Sequence, residues 1–247
     1  MNERVTHIYP NIFELYAGAA QNLYGAVKTA ITKRGQALIV LSGGGTPVGL
    51  FVLLRQHPYL DLIPWEKIHV FWADERCVPP TDSQSNYGEA YKLLLSHVPI
   101  PEENIHPIDG TLDPKEAAMR YHQTLVDFIA PGDIAPAFDW VLLGMGADGH
   151  TASLFPGQTE PFDPLVLAFP VQANYDGRPA ERVSLTSNAI NYAHQVAFLV
   201  TGKQKAPVLK QVLEGARVPR MLPPQRIQPP GGVVTWFIDQ DAASLLA

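Results

Sequence analysis

The chain predicts an α/β fold: an open, Rossmann-like, mostly parallel sheet flanked by helices. Three observations carry that expectation. Apolar runs of strand length alternate with segments of 3.6-residue apolar spacing along the chain. The best anion-binding turn, Ser42-Gly43-Gly44-Gly45-Thr46-Pro47, follows an early strand, whereas a TIM barrel usually builds its phosphate site after strands 7 and 8. The motifs that carry chemistry fall at the carboxyl ends of the expected strands, where open sheets of this class bind ligands.

In order, residues 3–9 read as a first strand and residues 11–33 as a helix, with Ile12, Leu15, Tyr16, Ala19, Leu23, Ala26, Val27 and Ala30 on one face. Residues 36–41 are a continuous apolar run, followed by the glycine turn and a helix through Gln56, with Pro47 suited to its first turn. Residues 68–72 form a buried strand that runs into Ala73-Asp74-Glu75-Arg76. A loop over 79–86 leads to a helix ending near Leu95; residues 99–112 are irregular, and Asp113 opens a helix to about Ile129. Phe138 to Leu143 is the next buried strand, broken by the glycines of 144–149. The polar, proline-rich stretch 156–181 reads as loop, 182–185 as a short strand followed by a small helix, and 195–200 as another strand. Thr201 to Lys205 starts a helix ending near Glu214, residues 219–232 are an extended connection, residues 233–238 a last strand, and Asp239 begins a short helix. There is no internal repeat and no linker between two cores, so residues 1–247 are expected to form a single domain.

Composition narrows the function. A hydrophobic fraction of 46% supports a sizeable core, while 17% charged residues and a net charge of −6 give no electrostatic footprint for nucleic acid. An anionic ligand would need a local basic cluster. The single cysteine, Cys77, excludes an internal disulfide and a multi-cysteine zinc site. Residues 1–20 lack the pattern of a secretory leader, and no apolar run nears the ~18 residues of a membrane span, so a cytoplasmic protein with no membrane partner is expected.

Four motifs carry chemistry. In Ser42–Thr46 the glycines let backbone N–H groups turn inward at a helix N-terminus, and two hydroxyls stand by, which makes a phosphate cradle. It lacks the lysine of a nucleotide P-loop, and its plain alternative is a tight turn with Thr46 as N-cap. Asp74-Glu75-Arg76 offers a carboxylate for proton transfer or a sugar hydroxyl and a guanidinium for an anion; its plain alternative is a surface ion cluster. Asp148-Gly149-His150 sits in a glycine-rich strand end, where an aspartate can fix the tautomer of a histidine acting near neutral pH. No second histidine lies at ligand spacing, so no metal is expected there. Arg182 and Lys205 open a strand and a helix, and on their own read as solvated charges; Trp72 and Cys77 read as packing residues beside the site.

Taken together, Leu41 to Pro47, Trp72 to Pro79 with Ser85-Asn86-Tyr87, Leu143 to Gly157, Arg182 to Thr186, Thr201 to Ala206 and Leu222 to Gln225 resemble the 6-phosphogluconolactonase family, which shares a fold with glucosamine-6-phosphate deaminases. The resemblance runs in order over nearly the whole chain. It implies one lactonase domain without a cofactor that hydrolyses 6-phospho-D-glucono-1,5-lactone, its partner being that small molecule. Oligomeric state is left open, and a monomer is compatible. By the same resemblance, Ser42, Gly43, Gly44, Gly45, Thr46, Arg182 and Lys205 hold the phosphate, His150 is the general base, Asp148 orients it, and Asp74 lies at the site. The oxyanion donor is Arg76 or a glycine-loop N–H. Deaminases carry Asp-Glu-Tyr in place of Asp74-Glu75-Arg76 and a glutamate in place of Phe155, which sets that activity behind. A non-catalytic sugar-phosphate sensor would carry a DNA-binding module, and the first strand starts too early to leave room for one ahead of it.

Overall fold

The computed structural model describes residues 3–175 and 177–247. Nine strands are named β1 (Glu3–Tyr9), β2 (Ala37–Leu41), β3 (Ile68–Trp72), β4 (Asp74–Arg76), β5 (Trp140–Gly144), β6 (Ala168–Gln172), β7 (Glu181–Leu185), β8 (Gln195–Val200) and β9 (Val233–Asp239). The helices are α1 (Ile12–Arg34), α2 (Pro47–Leu54), α3 (Tyr59–Leu62), α4 (Asn86–Leu93), α5 (Pro114–Val126), α6 (Ser187–Ile190) and α7 (Ala206–Glu214). Six strands make one sheet in the order β1-β9-β8-β5-β2-β3, and every pairing in it is parallel. This is the expected open, doubly wound architecture.

Local chemistry explains the main elements. Asn11 caps α1 by accepting from Glu14 N at 3.0 Å, and its own amide reaches Glu14 Oε1 at 3.2 Å, a reciprocal cap. Gly35, at φ +80°, ends the helix by donating to Ile31 O at 2.8 Å. The strand Ala37–Leu41 is buried at every position, as a strand covered on both faces must be. In the core, Phe198 and Trp236 stack at 4.0 Å between neighbouring strands β8 and β9.

The strand order places the site. The chain moves from β2 outward to β3, then returns to the other side of β2 with β5. The loops after β2 and β5 therefore face each other at a topological switch point, where a crevice opens. A hydrogen bond of 2.7 Å from Ser42 Oγ to Leu142 O ties them together.

Several expectations are corrected. Asp74–Arg76 is not the tail of β3 but a separate strand, the first of a three-stranded antiparallel sheet ordered β4-β7-β6. Ala73 makes the switch: its N–H donates to Leu41 O at 2.8 Å in the large sheet, and its carbonyl accepts from Leu185 N at 2.8 Å in the small one. The stretch 156–181 is not all loop, because it contains β6. Pro170 obscured that strand, yet β6 is an edge, where a missing N–H is tolerated. No helix follows Asp239: its carboxylate accepts from Ala242 N at 2.7 Å and holds a turn instead. The second helix stops at Leu54, short of Gln56, and a 3-10 turn over Lys203–Lys205 precedes α7.

Among the described residues, no helix is long and apolar enough to cross a membrane. Replacing the fully buried Phe198 by alanine removes one face of the Trp236 stack. We expect a loss of about 3–5 kcal/mol in urea unfolding; a loss below 1 kcal/mol would show that the core closes over the gap.

Candidate active site

The residues singled out in the sequence meet at one cavity of about 330 Å³ at the carboxyl ends of β2, β5 and β8, roofed by the small sheet. The loop 42–46, Asp74, Arg76, His150, Arg182 and Lys205 line it, while Asp148 stands behind His150. Side chains not singled out as site residues also reach it: Asn86, Tyr175, Arg178 and Gln204. Asn86 belongs to the Ser85-Asn86-Tyr87 motif, which by itself assigns it no role. Tyr175 and Arg178 lie in the stretch read as featureless loop, and their only signal was proximity to Arg182 in sequence.

The glycine loop is shaped by its neighbours. A Cβ on Gly43 would fall 1.7 Å from Asn86 Oδ1, so only glycine lets the loop lie against that side chain. Thr46 holds helical backbone angles and makes no side-chain cap; its hydroxyl instead lies 3.3 Å from Thr201 Oγ1, linking the loops after β2 and β8. The proton of Ser42 is directed to Leu142 O, so the donors this turn can offer an anion are chiefly backbone N–H groups.

The second loop positions an acid–base pair. His150 Nδ1 lies 2.6 Å from Asp148 Oδ1, which also accepts the His150 backbone N–H at 3.1 Å. Burial alone would raise the Asp148 carboxyl, but the bonds and charge of His150 outweigh it and hold Asp148 below its ordinary value. An ionised Asp148 can only accept, so Nδ1 carries the proton and Nε2 keeps a free lone pair. The imidazole is stacked on Phe155 at 4.8 Å and edged by Tyr175 at 4.6 Å. Gly146 makes room for this pair, since a Cβ there would fall 2.2 Å from His150 Nδ1. Ala152 is held at φ +48°, a left-handed conformation unusual for a residue with a Cβ, just before Ser153 donates to Asp74 Oδ2 at 2.6 Å.

The cavity concentrates positive charge in an acidic protein. Arg76 and Arg182 are register partners on β4 and β7, only 7% and 2% exposed. Arg76 Nε and Arg182 Nη2 are buried with no hydrogen-bond partner among the described residues. Burial lowers the Arg182 guanidinium; Asp74 opposes that shift, while Arg76 and Arg178 add to it. It remains a cation all the same. Burial also lowers Lys205, with Asp239 opposing. Buried cations are costly unless an anion pairs with them, and Arg76, Arg178, Arg182 and Lys205 all line the cavity, so this arrangement suits a phosphate or a developing oxyanion. No cluster of three or more His, Cys, Asp or Glu side chains able to hold a metal occurs among the described residues. Cys77 is half-buried with its thiol pushed up to about 11 by burial and nearby carboxylates, and Trp72 is fully buried, as packing residues would be.

Glu75, 1% exposed, points away from the cavity and is raised to about 6 by burial, against the lowering effect of its hydrogen bonds. A raised folded-state value favours the folded protein below the unfolded value of 4.5, and this contribution is lost as pH rises through 6. Relative to Glu75→Gln, the wild-type protein is expected to lose about 2 kcal/mol of unfolding free energy between pH 4 and 7. A constant difference across that range would show that the carboxyl is unperturbed.

Comparison with known proteins identifies the family. The family described as glucosamine-6-phosphate isomerases/6-phosphogluconolactonase matches residues 10–236. A 6-phosphogluconolactonase of Aggregatibacter actinomycetemcomitans is 44% identical over 85% of this chain and 88% of its own length. One from Mycobacterium tuberculosis is 38% identical over 97% of both chains. The solved structure of 6-phosphogluconolactonase from Trypanosoma brucei superposes with a TM-score of 0.85 at 26% identity, covering 100% of each chain. The chain therefore belongs to the glucosamine-6-phosphate isomerase/6-phosphogluconolactonase family.

Proposed function

We propose that this protein is a 6-phosphogluconolactonase, hydrolysing 6-phospho-D-glucono-1,5-lactone to 6-phosphogluconate. The observation that carries the reading is the Asp148–His150 pair facing a cavity walled by buried, partly unpaired arginines. The relatives named above supply the substrate class. Residues 1–247 act as one catalytic domain in this reading, because the cavity draws on both sheets. A cytoplasmic enzyme without a cofactor, working as a monomer, fits it.

The phosphate rests on the backbone N–H groups of Gly43, Gly44 and Gly45 and the start of α2, beside Ser42 and Thr46, and is neutralised by Lys205 and Arg182. His150 Nε2 takes a proton from water as the water oxygen attacks the lactone carbonyl carbon. Negative charge passes to the carbonyl oxygen, which Arg76 meets with its guanidinium at the cavity wall. Collapse of the tetrahedral intermediate breaks the bond to the ring oxygen, which receives the proton from His150. The acid formed then loses its proton to solvent. Asp148 holds the tautomer and stabilises the imidazolium. Asp74 binds a sugar hydroxyl and balances Arg182.

Phe155 favours lactone hydrolysis over deamination. Its ring lies flat against His150, where a sugar-phosphate deaminase of this family would carry a carboxylate to assist ring opening. A lactone has no hemiacetal to open.

The deciding assay is proton release from freshly generated 6-phosphogluconolactone above the spontaneous rate, with glucosamine 6-phosphate run in parallel for ammonia. Lactone loss without ammonia is expected; ammonia release would overturn the reading. His150→Ala should lower kcat by about 10²–10⁴-fold with little change in binding, and an unchanged kcat would remove His150 as the base. Lys205→Ala should raise KM for the phosphorylated lactone by roughly 10–100-fold while sparing a lactone without phosphate. Equal effects on both substrates would remove Lys205 from the phosphate site.

A further inference from the structure

Arg76 is given its direction by residues outside its own strand. Its Nη1 donates to Gln84 O at 2.7 Å and to Asn86 Oδ1 at 2.6 Å. Asn86, 2% exposed, uses the other end of its amide on Asp74: Nδ2 donates to the Asp74 carbonyl at 2.7 Å and to Oδ1 at 3.3 Å. The amide has one workable orientation, because reversing it would set N–H against the guanidinium and oxygen against two acceptors.

Asn86 is in turn fixed from behind. Side chains alternate along β4, so Asp74 and Arg76 face the cavity while Glu75 faces the other way. There the Glu75 carboxylate accepts from Arg76 N at 2.8 Å, Asn86 N at 2.7 Å, Tyr87 N at 2.7 Å and Ser85 Oγ at 3.0 Å. Ser85 is also the cap of α4, accepting from Gly88 N at 3.0 Å. One buried carboxylate thus docks the start of α4 onto β4.

We propose that Asn86, held in place by Glu75, is the positioning residue of Arg76 and Asp74: its amide spaces the guanidinium from the carboxylate and aims the Arg76 guanidinium at the reacting carbonyl. This rests on the reading of Arg76 as the oxyanion donor. A neutral amide suits the task because it fixes a cation without cancelling its charge. A carboxylate at this position would pair with Arg76 and repel Asp74. Gly43 packs directly on Asn86 Oδ1, so the loop comes this close to the amide only because it carries no side chain there.

The test is a double-mutant cycle on the lactonase reaction, with Asn86→Ala, Arg76→Ala and the double variant, each checked by thermal melting. Asn86→Ala keeps the backbone N–H that Glu75 accepts. It is expected to lower kcat by about 10²-fold, with KM for the phosphorylated lactone changed much less, and to cost nothing further in the Arg76→Ala background. Additive losses would overturn the inference, because Asn86 would then act independently of Arg76. Asn86→Asp is the same shape and keeps the acceptor, so it tests the charge argument even if the alanine variant is unstable. Its kcat should fall as well, and a wild-type value would overturn the proposal. Full activity of Arg76→Ala would remove the underlying assignment of Arg76, and this inference with it.

Discussion

Two buried arginines, Arg76 and Arg182, stand opposite each other across the antiparallel pair β4 and β7. Like charges at directly opposed positions are unfavourable, and burial deepens the cost. Much of the surrounding structure meets this constraint. Asp74 lies beside them, Asn86 and Gln84 occupy one guanidinium nitrogen, the Phe155 ring faces Arg182 at 5.5 Å, and Pro179 O accepts from its Nε at 3.1 Å. Both arginines also line the cavity, where an anion can offset their charge. Stability spent on that repulsion would be returned by an entering anion, which is how the proposed function lets an acidic protein hold a phosphorylated substrate.

The large sheet was legible in the sequence because its signals are local. Continuous apolar runs at 37–41, 140–143 and 196–200 need no partner to be read as buried strands, and the glycines at 43–45 announce the turn that follows β2. The small sheet was not legible. β4 has three residues, all polar, and becomes a strand only because β7, far along the chain, supplies its hydrogen-bond partners. β6 carries a proline, and its burial does not follow a two-residue alternation. Neither length nor periodicity can reveal such strands, since tertiary pairing defines them.

The site divides along the same line. His150, Asp148 and the glycine loop were readable because each motif contains its own reason: a titratable ring beside a carboxylate, or a run that only a ligand or tight turn explains. Asn86 contains no such reason. An asparagine after a serine cap is ordinary, and its connection to Asp74, Arg76 and Gly43 exists only in three dimensions. Arg178 is similar, a single cation in a proline-containing turn until the fold brings it to the cavity beside Arg182.

The crossing of the chain at Ala73, from one sheet into the other, has an evolutionary consequence. In the proposed mechanism the loops after β2 and β8 hold the phosphate with help from Arg182, whereas the side chains nearest the reacting carbon, apart from His150, hang from the three-stranded annex. A lineage could therefore exchange one chemistry for another by rewriting a few positions in that annex, leaving its handle on the substrate intact. Catalytic diversification within such a scaffold becomes a matter of changing the lid of a box whose floor is already finished.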